Sequence, residues 1–411
     1  GGIPRLSAKI VCDAQQPQPR LQLTQSRYRP LGESAQSHSL WTIPVTISTQ
    51  YGQTRRLVSK AFEEVPLVGS VCPSWVQAKV GGIAYYLVAY EEGVLFNQMT
   101  QAKLSVDEVL NGLIDARMLS ASGDLGQDEA MRLAEHFSQH SDQMVQITAL
   151  GNLLQSKALI SPAQRPAFAA LMQRSFGAQA RALGLLPKPG EDSDTNTARL
   201  ELVEAVADFG QDAELRAHAS QLAHAAFHGG AAIPKATERL VLRVAALEGN
   251  ADLFEAISQK LHRSDSQNER QNLYAALGNF RVPALAQAAR QLLLTPGYDV
   301  REARTVLKLQ GHDEAARDAK YAFLKNHYAE LSKVMPKRQV AYLPELFDGY
   351  CSAAKAQELL QFFTPRLAKV QAGPVQLAQT VESIRLCSAF KAHQHAKFNA
   401  YLGTALDIAQ K

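Results

Sequence analysis

Two histidine pairs stand four residues apart, His136-Phe-Ser-Gln-His140 and His224-Ala-Ala-Phe-His228. Side chains at that spacing share one face of a helix, so two imidazoles there could grip a zinc ion. A hydrolytic zinc site of the His-Glu-x-x-His kind also requires a glutamate directly after the first histidine, as general base. Phe137 and Ala225 hold that position here. With no third ligand in view, both pairs read as ordinary helical histidines, and an independent metal enzyme built on either is the least supported reading. His393-Gln-His395 is too closely spaced to share a helix face. The carboxylate couples Glu63-Glu64 and Glu91-Glu92 send one residue to each face of a strand, and they read as solvated edge charges, not as an acid/base couple. Tyr86 and Tyr90 share one strand face and Tyr85 takes the other, which suits packing at a domain border better than ligand stacking. Arg239, Arg243, Arg301 and Arg304 either line a concave surface or coat a solvated one, and the sequence does not choose. There is no Gly-x-Ser-x-Gly elbow, no phosphate-binding P-loop, no dinucleotide-type glycine motif and no calcium loop. No catalytic residue and no metal ligand is therefore assigned, and the substrate-binding residues are unknown.

Two kinds of element must position whatever these residues do. Seven of the 18 prolines and both tryptophans fall in residues 1–95, beside short alternating or β-branched segments. Strands are expected at 6–12, 20–25, 41–47, 56–60, 75–80 and 85–90, with turns at 16–19, 29–32 and Gly81-Gly82. In the second strand Leu21, Leu23 and Gln25 share one face. Short strands with no helix between them predict a small antiparallel β-sandwich, and Pro44 inside one marks an edge or a bulge. From about residue 96 the apolar period changes to between three and four. Segments 198–209, 238–247 and 268–277 are amphipathic helices rich in Ala and Leu, several ended by a glycine able to take the left-handed cap. Pro162 sits at a first helical position, and Asp107, Asp212 and Ser266 are expected N-caps. Fourteen to seventeen helices are expected on this pattern. Glycine-ended helices at Gly210, Gly249, Gly278 and Gly311, and the near-identical endings Ala149-Leu-Gly-Asn152 and Ala276-Leu-Gly-Asn279, have the step of a helix pair. That predicts a large all-α superhelical domain, HEAT/armadillo-like, over 96–411 after a β-sandwich domain over 1–95. Residues 187–196 read as an exposed loop.

At 411 residues, 46% hydrophobic and 20% charged, the chain describes a folded soluble protein too long for one ordinary domain. Nine Lys and Arg stand against six Asp and Glu in residues 1–95, and 34 against 33 beyond, so neither part carries the basic stripe of a nucleic-acid binder. No apolar run approaches the ~20 residues that span a bilayer, which excludes membrane insertion by a helix. Cys12, Cys72, Cys351 and Cys387 are too few and too scattered for a disulfide framework or for metal knuckles. Buried free thiols are expected, with a Cys12–Cys72 bridge as the lesser option. The chain opens Gly-Gly-Ile-Pro without methionine, and is expected to be a cleaved or truncated piece of something longer. The compartment, cytoplasmic or exported, is left open.

The order of parts carries a resemblance. A short β-sandwich, then Trp75-Val-x-Ala-x-x-Gly-Gly-x-x-Tyr-Tyr-x-Val-x-Tyr90, then some 300 helical residues, resembles the C-terminal half of the aminopeptidase N family of zinc gluzincin aminopeptidases. The family's border motif reads roughly Gly-Tyr-Tyr-Arg-Val-x-Tyr. Here Tyr85, Tyr86, Val88 and Tyr90 match, while Ala84 stands at its glycine and Leu87 at its arginine. Glu108-Val109, Asp115 and Ser122-Gly123 keep the spacing of its next motif, with Val109 at the second arginine. Ala276–Phe280, Phe323–His327 with Leu331, and Thr380–Ile384 are similar to its later signatures, His327 replacing a tryptophan. The resemblance implies that the zinc, the His-Glu-x-x-His pair and the substrate-anchoring residues belong to an earlier catalytic domain, and none of those motifs occurs in this sequence. The chain would then be inactive alone, without a cofactor of its own, and would enclose the peptide substrate jointly with the missing N-terminal catalytic domain by opening and closing. The alternative is a stand-alone α-solenoid scaffold that binds a protein or an extended peptide.

Overall fold

The computed structural model describes residues 2–409 apart from 14, 35–38 and 83, with the backbone alone at 16, 17 and 404–409. Six strands come first: β1 Pro4–Asp13, β2 Gln16–Arg27, β3 Ile43–Thr49, β4 Gly52–Val58, β5 Phe62–Pro66 and β6 Leu87–Tyr90. They form a four-stranded sheet of order β5-β2-β1-β6 and a β3-β4 ladder. β1·β2, β2·β5 and β3·β4 are antiparallel, as the sandwich expectation requires, whereas β6 lies parallel to β1 with Leu6 opposite Val88. Period-2 alternation turns Leu6, Leu21, Leu23, Val45, Ile47 and Val58 into one core with Val65, Val76, Tyr86 and Val88. Pro44 faces out of a two-stranded ladder, where its missing N–H is harmless. Three local expectations differ from the structure. Residues 16–19 belong to β2, because the hairpin closes at Asp13 opposite Gln16. Segment 75–80 is no strand: Gln77 alone makes a bridge, exchanging backbone hydrogen bonds of 2.8 and 2.9 Å with Ser48. β5 was hidden by its two glutamates.

Helices follow at once: α1 Val94–Gln101, α2 Val106–Ser122, α3 Gln127–Phe137 and α4 Gln143–Gln155. Next come α5 Arg165–Met172, α6 Ala178–Leu183, α7 Ser193–Ala198 and α8 Glu204–Asp208. Wide π-helical turns at Gln173–Gly177 and Arg199–Val203 join α5 to α6 and α7 to α8. The rest are α9 Ala213–Phe227, α10 Lys235–Ala246, α11 Ala251–Arg263, α12 Gln267–Leu277 and α13 Pro283–Gln291, then α14 Val300–Leu309, α15 Glu314–Val334, α16 Lys337–Ala341, α17 Ala353–Leu367 and α18 Gly373–Ala409. With the two joins this makes sixteen helices among the described residues, so a β region followed by a large helical part is the architecture. None of these helices is long and apolar enough to cross a membrane.

The chain forms two compact units, residues 1–161 with 389–411, and residues 162–388. In the first, Gln394 of α18 is fully buried. It donates to the Ser120 and Leu125 carbonyls (2.8 and 2.9 Å) and accepts from the Gln127 amide (3.0 Å). Gln127 in turn donates to Ser156 Oγ at 2.7 Å, so this buried polar group is answered on every side. In the second unit α10 packs on α9 and α12, and α12 on α11 and α14. The recurring glycines serve that packing. A Cβ at Gly249 would sit 2.5 Å from the Phe280 ring, and one at Gly278 3.0 Å from Leu309 Cβ. Neither takes the left-handed cap that the sequence suggested, whereas Gly123, after α2, does. Asp212 and Ser266 cap α9 and α12 as expected, but α2 is capped by Ser105, with Asp107 in its first turn.

The cysteines correct the thiol expectation. Cys12–Cys72 and Cys351–Cys387 are disulfides, with Cα atoms 5.7 and 4.9 Å apart, and none of the four is buried. Sequence spacing hid the second pair, because Cys351 precedes α17 and Cys387 lies on α18, 36 residues on.

Candidate functional site

The border between strands and helices carries a polar cluster in the first unit. Segment 75–82 crosses it with bends at Ala78 and Lys79 and a turn at Val80-Gly81, held by the tyrosines of β6 and by α2. Ala78 N–H donates to Tyr90 Oη at 2.8 Å, and Tyr86 Oη donates to the Ala78 carbonyl at 2.7 Å. Both hydroxyls are thereby committed to the backbone, and burial together with the nearby Asp115 charge pushes the Tyr86 pKa up. Tyr85 stays exposed. The packing reading therefore stands for Tyr86 and Tyr90 and not for Tyr85. Lys79 Nζ reaches both carboxylate oxygens of Asp115, at 3.0 and 2.9 Å, with the two side chains only 11% and 13% exposed. Burial raises the Asp115 pKa to about 6 even though Lys79 pulls against it. Two turns earlier, burial also pushes Glu108 up, but N–H donors from Gly81, Ser105 and Gln77 outweigh it and hold its pKa below the ordinary value. Gly82 has φ +68°, and a Cβ there would lie 2.8 Å from Asn111 Nδ2, so only glycine lets the segment turn against α2. A cavity of about 30 Å³ remains, lined among others by Lys79, Tyr90, Gln98 and Asp115. Leu87 and Val109, where the resemblance leads one to expect arginine, are buried and apolar.

The second unit carries a larger opening, about 370 Å³, lined by Gln267, Gln271, Asp299, Arg301, Glu302, Thr305 and Gln339. It lies where a ladder of polar pairs ends. Arg243 of α10 pairs with Glu204 of α8 (2.6 Å), Asn272 of α12 with Glu238 of α10 (2.9 Å), and Arg270 of α12 forks onto Glu302 of α14 (2.7 and 2.9 Å). Arg243 and Arg301 are thus partnered, while Arg239 is exposed. Of the residues that the sequence singled out, Arg301 lines this cavity.

The other singled-out residues do not converge. His136 packs edge-on against Phe96 and Phe137, and α3 ends before His140, whose Nδ1 accepts from the Asp142 amide. His224 and His228 stack at 4.1 Å at the end of α9. His395 lies beside Asn399 on α18, and His393 is near Gly123. Among the described residues no three His, Cys, Asp or Glu side chains are grouped so as to hold a metal ion, so they do not fit a zinc site. Glu63 is buried, not solvated. It accepts from the Ser59 and Lys60 amides and from Arg56, and these donors hold its pKa low. Glu64 pairs with Arg20, Glu91 with Lys9 and Glu92 with Lys397 at the surface.

One family model, that of the ERAP1-like C-terminal domain, matches residues 75–386. The match begins at Trp75, the first residue of the border segment, and runs through the helices almost to Cys387. No curated protein matches the chain.

Proposed function

Because the chain belongs to the family of the ERAP1-like C-terminal domain, the C-terminal region of aminopeptidase N family members, we propose that it is the non-catalytic part of a zinc-dependent aminopeptidase. Residues 1–95 act as a β-sandwich spacer and 96–411 as a helical cap that closes over peptide substrate. The hydrolytic zinc is supplied by a catalytic domain carried on another segment, and the cap opens and closes against it. The observation that carries this reading is the unbroken family match across 75–386, which joins the border segment to the helices in one unit of descent. The committed tyrosine hydroxyls and the internally paired charges support a positioning role over a reactive one. A near-neutral charge balance suits a cap that handles varied peptides.

The test is direct. The purified chain should hydrolyse no leucyl-aminocoumarin reporter and retain less than stoichiometric zinc by elemental analysis. Chelator-sensitive hydrolysis at enzyme-like rates would overturn the reading. An in-phase reading frame upstream that encodes His-Glu-x-x-His supports it, whereas a native start codon beside Gly1 would favour the stand-alone scaffold.

A further inference from the structure

The cavity of about 30 Å³ at the strand-to-helix border is far smaller than a pocket for an organic ligand, usually about 300 Å³ or more, and matches the share of one water in the liquid, about 30 Å³. Its wall does not suit a metal ion. Lys79 Nζ already lies on both carboxylate oxygens of Asp115, and Glu108 accepts N–H donors from Gly81, Gln77 and Ser105, so a cation would have to displace them. Three polar groups on this wall are nevertheless unanswered. Gln98 of α1 is only 6% exposed, and its side-chain amide makes no hydrogen bond to a described residue, yet it is not sealed off from the cavity that it lines. Tyr90 Oη accepts the Ala78 N–H at 2.8 Å, which leaves its own proton without an acceptor among the described residues. Lys79 has three N–H groups, and Asp115 is the one described side chain that takes them. An unmet amide at this depth is costly, and buried polar groups that find no protein partner are met by ordered water.

We propose that this cavity is a water site. The bound molecule accepts from Lys79 and Tyr90 and donates to the amide oxygen of Gln98, with an oxygen of Asp115 as its second acceptor. One amphoteric molecule thus serves donors and acceptors that no single side chain could. It also adds a polar tie from α1 to β6 and to segment 75–82, on top of the tie to α3, where Glu129 accepts from the Gly93 and Phe96 amides at 3.2 Å each. The change of element between Tyr90 and Val94 is then held from both sides, by Glu129 and by the water.

The test uses the full 411-residue chain. A high-resolution crystal structure should show a density peak about 2.7–3.2 Å from Gln98, Tyr90 and Lys79. Gln98→Met keeps the length and helix propensity of the side chain and removes its amide. With the water in place the variant loses a bonded group, so Tm should fall by about 2–4 °C, and the peak should vanish from its crystals with Tyr90 and Leu95 unmoved. In a dry cavity the same change removes an unmet amide, and Tm should hold or rise. No peak in the wild type, a Tm that does not fall, or a fall traced to displaced Tyr90 and Leu95 would each overturn the proposal.

Discussion

Asp115 keeps its proton up to a pH of about 6 because burial opposes its charge more strongly than Lys79 relieves it. A carboxyl whose folded pKa is raised contributes stability that is fully present below its unfolded pKa and fades as pH rises through the folded value. Lys79→Ala would lift that pKa further and leave a buried carboxylate alone at pH 8. The expected loss by urea denaturation is about 3–5 kcal/mol at pH 8. At pH 5, where the acid is neutral, it falls to about 1 kcal/mol, the worth of a hydrogen bond. Equal losses at both values would show that Lys79 contributes through packing alone. Asp115 was legible from its spacing after Glu108, but its partner was not. Lys79 sits in a segment whose apolar alternation imitates a strand, and only the turn at Gly82 brings it over α2. Glu63 was misread for a related reason: a carboxylate that collects two backbone N–H donors can be buried, and no sequence pattern displays such donors.

At the scale of elements, Gly249 and Gly278 are contact points between neighbouring helical segments. Gly249→Ala is expected to lower stability by about 1–3 kcal/mol through collision with Phe280, which must shift to make room. In a double-mutant cycle Phe280→Leu should recover part of that loss; strict additivity would exclude the collision. The Cys351–Cys387 bridge ties the start of α17 to α18 across 36 residues. Replacing both cysteines by serine should cost about 4 kcal/mol in oxidising buffer and leave the melting curve only the response to reductant that comes from Cys12–Cys72. Most helices and strands were legible because hydrophobic period reports which face is covered. β5 escaped because its buried Val65 is framed by Glu63, Glu64 and Pro66, and the pairing of Cys351 with Cys387 depends on how two helices pack.

For the whole molecule, order in the sequence was more telling than any motif, since the strand-to-helix change between Tyr90 and Val94 and the family match both follow it. Two bridges and no free cysteine among the described residues suit an oxidising compartment. Protein isolated from its natural compartment should resist alkylation by iodoacetamide until reduced, then take up four groups by intact mass; immediate labelling of all four would refute the pairing. The buried Gln394 has one more consequence. Its partners Ser120 and Gln127 leave the ribosome long before it does, after which all of residues 162–388 must be made. The first unit to be synthesised is therefore the last to be completed. Until residue 394 emerges, the nascent chain must keep two helices waiting for a strut that translation has not yet delivered.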